Sequence, residues 1–139
     1  MTDRRTVDVG GVGGRAGFAY EAQLRLAPGA DERAPGGAVT AALCGHWEHD
    51  GPCRWPHHTS VDERDGEELT VRVVAASPPT ERAEVQRLID GALTVGELVG
   101  PDGPSHWTLL RSGPVGLRTD ELALAGRLAT GPAASGPTG

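Results

Sequence analysis

The chain has 139 residues and a formal net charge of −6. That is enough for one domain with a modest core, and the acidity argues against a nucleic-acid or anionic-membrane partner. All thirteen basic residues are arginine, which excludes Schiff-base chemistry and a Walker-type phosphate lysine. No run approaches the roughly 20 apolar residues of a membrane span.

Residues 1–16 end in Gly10-Gly11-Val12-Gly13-Gly14-Arg15. A dinucleotide-binding loop needs a strand before such glycines and a helix after them, and neither is present, so the stretch reads as a disordered leader. It has no apolar segment of the secretory kind, and the protein reads as cytoplasmic. Phe18 to Leu26 alternates apolar and polar residues, a half-buried strand. Pro28 to Gly37 reads as a loop, and Ala38 to Trp47 as a second strand. Asp62, Glu63, Asp65, Glu67 and Glu68 surround Asp65-Gly66, a solvated hairpin turn. Glu68 to Ala76 is a third strand, with Leu69, Val71 and Val73 on one face.

Ser77-Pro78-Pro79-Thr80 stops that strand. Thr80 can cap a helix whose Val85, Leu88, Ile89 and Ala92 form one apolar stripe, ending at Gly96. Pro101 to Pro104 is a turn, His106 to Arg111 a fourth strand, and Asp120 to Ala129 a short helix, with a strand as the alternative because Leu122, Leu124 and Leu128 also alternate. Residues 130–139 read as a disordered tail. The expected fold is α+β: one domain over 17–129, with a small antiparallel sheet of about four strands, one or two helices packed on one face, and a metal-stabilised loop.

That loop carries the chemistry. Both cysteines and four of the five histidines fall between Cys44 and His58, spaced C-x-H-x2-H-x3-C-x3-H-H. Thiolate and imidazole are the ligands zinc prefers; copper is the second choice, because Cu(I) also favours thiolate. The candidate ligands are Cys44, His46, Cys53 and His57, with His49 and His58 in reserve. In the reducing cytoplasm, metal ligation is expected in place of a Cys44–Cys53 disulfide. A hairpin pairing 41–49 with 54–61 sets His46 opposite His57 and puts Cys44 on the same face. Those three leave an open position of the catalytic type, and Cys53 would close the site.

The expected function is a small acidic zinc-binding protein, cytoplasmic, with a structural or accessory interaction role toward a protein partner or a small molecule. The alternatives are a metal-dependent enzyme, with Glu48 or Asp50 as general base beside a metal-bound water, and a metal carrier or sensor.

Overall fold

The computed structural model describes residues 14–44 and 55–130. Five strands and three helices follow in the order β1 (Ala16–Leu26), α1 (Ala34–Cys44), β2 (His57–Asp65), β3 (Glu68–Ser77), α2 (Arg82–Val95), β4 (Glu97–Gly100), β5 (Gly103–Val115) and α3 (Leu122–Thr130). The strands form one sheet in the order β2-β3-β1-β5-β4, with every neighbouring pair antiparallel. β3 lies between β1 and β2, and β1 lies between β3 and β5. The units β1-α1-β2 and β3-α2-β5 therefore interleave, a split βαβ arrangement. The α+β class is as expected; three of the four expected strands form, as β1, β3 and β5, and β2 and β4 join them.

The alternation in β1 decides which sheet face is buried. Phe18, Tyr20, Ala22 and Leu24 stand opposite Ala75, Val73, Val71 and Leu69 of β3. These eight join Val39 and Leu43 of α1 and Val85, Ile89 and Leu93 of α2 in one core. Tyr20 hydroxyl donates to Asp90 Oδ1 at 3.3 Å, and the Ser112 hydroxyl donates to the same oxygen, so α2 is tied to β1 and β5. Gly96 ends α2 in the left-handed region, at φ 74°. A Cβ there would lie 2.5 Å from the Trp107 carbonyl oxygen, so the turn into β4 requires glycine.

Two expectations are corrected. Residues 38–44 are helical, not a strand, because Ala34, Pro35, Ala38, Val39 and Leu43 bury one helical stripe. Pro35 is tolerated in the first turn, where its missing N–H has no partner to lose. Asp31 accepts the Arg33 N–H at 2.9 Å ahead of it. Gly36 and Gly37, which look like loop residues, are where α1 closes on its neighbours. A Cβ would lie 2.8 Å from Thr59 Oγ1 at Gly36, and 2.9 Å from Leu98 Cδ2 at Gly37.

The second correction concerns the layers. α1 and α2 share one face, but α3 covers part of the other, over Gly17 of β1. Its buried residues are only Ala125 and Ala129, so charge supplies the remaining hold. Arg72 of β3, 4% exposed, reaches Glu121 Oε1 at 2.9 Å, Glu21 Oε2 at 2.9 Å and the Gly116 carbonyl at 2.7 Å. Arg118 grips both oxygens of Asp62, at 2.7 and 2.8 Å. The leader 1–16 and tail 130–139 lie almost wholly outside the described residues; Ala16 opens β1 and Thr130 closes α3.

Candidate metal site at the junction of α1 and β2

β2 pairs with β3, and residues 41–44 are helical, so the expected hairpin does not form over the described residues. His57 stands opposite Ala75, and Thr59 opposite Val73. Its burial alternates, with His57, Thr59 and Val61 half-buried toward α1 and His58, Ser60 and Asp62 exposed. The alternation of strand side chains therefore separates the two adjacent histidines. One faces the core and the other faces water.

His57 is held at both ring nitrogens. Nδ1 lies 3.0 Å from the Trp55 carbonyl oxygen, and a carbonyl can only accept, so Nδ1 carries the proton. Nε2 of the neutral ring then accepts from the Thr40 hydroxyl at 3.1 Å. Burial pushes the ring's pKa down; the bond to Trp55 opposes this, and the charge of His58 adds to it. The imidazole is neutral near pH 7, with its Nε2 lone pair directed at α1.

The loop's return is anchored beside it. Trp55 is 4% exposed and donates from Nε1 to Glu81 Oε1 at 2.8 Å. The Pro56 carbonyl accepts from Ala76 N at 3.0 Å. Trp55 is thus packed in the core. Thr40 and Glu81 were not singled out from the sequence. Thr40 becomes visible only when 38–44 is read as helix.

Cys44 is the last residue of α1, one turn beyond Thr40 and on the same helix face. It is disulfide-bonded, in a chain with one other cysteine, Cys53. This corrects the expectation of reduced thiols: in this form the sulfur is not a thiolate. His46, Glu48, His49, Asp50 and Cys53 lie outside the described residues.

The remaining histidine, His106, is not part of the junction. It sits on β5 with Nε2 3.4 Å from Glu97 Oε2. Three strand spacings, about 14 Å, separate β5 from β2. Among the described residues, no group of three or more His, Cys, Asp or Glu side chains could hold a metal ion. Of the ligands expected from the sequence, Cys44, His57 and His58 lie among the described residues, and Thr40 and Trp55 orient the His57 imidazole. No protein-family model matches the chain, and no curated protein or solved structure matches it.

Proposed function

We propose that this chain is a small zinc-binding protein whose metal is held at the α1–β2 junction. His57 Nε2 and the reduced Cys44 sulfur supply the ligands on the scaffold, and the histidines and cysteine of residues 45–54 complete the set. One observation carries the reading. A ligating histidine commonly donates its other ring N–H to a backbone carbonyl, which fixes the tautomer, and the Nδ1 bond of His57 to Trp55 has this form. Displacing Thr40 from Nε2 costs one hydrogen bond, about 0.5–1.5 kcal/mol. Structural zinc supplies on the order of 10 kcal/mol, so the existing bond is no obstacle.

His58 does not fit the same site, because β2 turns it to the opposite face. The bound metal would supply structural stabilisation to the loop between α1 and β2. The surface it shapes would then serve a partner protein or a small molecule. The proposed location is the cytoplasm. No helix among the described residues is long and apolar enough to cross a membrane.

The test is metal content of the reduced chain by elemental analysis. One equivalent of zinc is expected in the wild type, most of it lost in His57→Ala and retained in His58→Ala. Equal retention in both variants would reject His57 as a ligand.

A further inference from the structure

The sheet face away from α1 and α2 is only half covered. α3 packs on β1 and β3 at one end, with Ala125 over Gly17. Residues 116–118 cross the face near its middle: the Gly116 carbonyl accepts from Arg72, and Arg118 grips Asp62. Beyond that crossing the face continues as two cross-strand rows. Glu63, Thr70, Gln23 and Arg111 form one row; Asp65, Glu68 and Arg25 belong to the next. All of these but Arg25 line one open cleft. The molecule thus presents a step, raised where α3 lies and recessed beyond it.

We propose that two copies of this chain interlock through this step, with α3 of each seated in the recess of the other. The symmetry follows from the shape. An isologous contact sets one surface against itself about a two-fold axis. An axis parallel to the strands would stack the raised halves and leave both recesses empty. An axis across the strands, near Arg72, exchanges raised half for recess, and the two α3 helices then share one layer between the sheets. That layer is about one helix diameter thick, roughly 10 Å.

The exposed side chains match this arrangement. The side of α3 away from Ala125 carries Ala123 and Arg127, one turn apart and both exposed. Among the described residues Arg127 has no carboxylate partner, and neither Glu63 nor Asp65 in the recess has a cationic one. Leu122, 52% exposed, directly follows the Glu121 that Arg72 holds, so it lies beside the axis and meets its equivalent. An apolar centre with charges around it is the ordinary anatomy of a contact between proteins. The net charge of −6 on each chain opposes association. At physiological salt, charges act over about 8 Å, so pairs in contact outweigh the remote charges.

Sedimentation equilibrium of the full chain, with its disulfide intact, tests this. A dimer is expected at about 100 µM, a concentration at which even micromolar contacts are filled. Arg127→Glu sets like charges together, and Leu122→Glu puts a charge at the apolar centre. Each should weaken the dimer about 10-fold or more, with the urea midpoint unchanged. Adding Glu63→Arg and Asp65→Arg to Arg127→Glu should restore it. A monomer throughout overturns the proposal. So does a dimer that reductant dissolves, which would be a disulfide cross-link, or one that neither α3 substitution weakens. Loss in Arg127→Glu without restoration by the two reversals puts Arg127 against some other surface and overturns the seating in the recess.

Discussion

Burial holds the His57 imidazole below its ordinary titration range, so the folded chain binds a proton there less readily than the unfolded chain. The sign follows by linkage. The group has no effect on stability well above the unfolded value of about 6.5. Stability falls as the pH drops below that value, because the unfolded state then holds more protons. The slope contributed by this one group is at most about 1.4 kcal/mol per pH unit. Urea unfolding of the chelator-treated protein from about pH 7.5 to 5.5 should show it, and His57→Gln should remove it. An unchanged slope in the variant would place the effect on other groups. Gly96 offers a second test at this scale. Gly96→Ala should destabilise by about 1–2 kcal/mol from backbone conformation alone, and by more from the contact with the Trp107 carbonyl. A midpoint unchanged in denaturant would contradict the turn geometry. The sequence revealed the residue types of the candidate site but not their placing. Cys44 and His57 stood out by composition. That Thr40 faces His57, and that His58 faces away, follows only from the helix and from β2 pairing with β3.

α1 was illegible for a definable reason. Pro35, Gly36 and Gly37 carry the residue signals of a loop, and Val39 and Thr40 those of a strand. Tertiary packing overrides both, since the glycines cost about 1 kcal/mol each in helix propensity but permit the approach to β2 and β4. The two should differ when replaced. At Gly37 the neighbour is the end of a Leu98 side chain, which can move; Gly37→Ala should be neutral or stabilising by up to about 1 kcal/mol. At Gly36 the neighbours are Thr59 Oγ1 and Cβ, at 2.8 and 3.2 Å, fixed by a β-branched residue in a strand. Gly36→Ala should destabilise by about 1–3 kcal/mol. Equal effects in denaturant melts would reject this account of how α1 is seated. β1, β3 and α2, by contrast, were read nearly whole, because alternation and a helical stripe each agree with their surroundings. α3 is held differently. Arg72→Met strands Glu121, 14% exposed, and should cost about 3 kcal/mol, the lower end for breaking a buried pair. The Arg72 bond holds the Glu121 carboxyl below its usual range. Its contribution is present above about pH 4.3 and is lost as the pH falls further toward the folded value. Hydrogen exchange should show α3 opening first in acid; opening that begins in α2 would contradict this.

At the scale of the whole molecule, the split βαβ sheet gives two supports to one short loop. α1 delivers the chain to Cys44, and buried Trp55 returns it to β2 beside His57. The class of fold was legible because three of the elements carry clean periodicity. The distribution of helices over both faces was not, because α3 buries only alanines and a stripe of alanines specifies no particular face. On the proposed reading, the reduced chain closes this junction around one metal ion, using His57 and cysteine thiolate. Cobalt(II) titration of the reduced protein, followed by absorption, tests it most directly, because it reports stoichiometry and coordination together. Saturation is expected at one equivalent, with visible bands of a four-coordinate site and a thiolate charge-transfer band that both disappear in His57→Ala. A reduced, folded chain whose spectrum never departs from that of cobalt in water would contradict it.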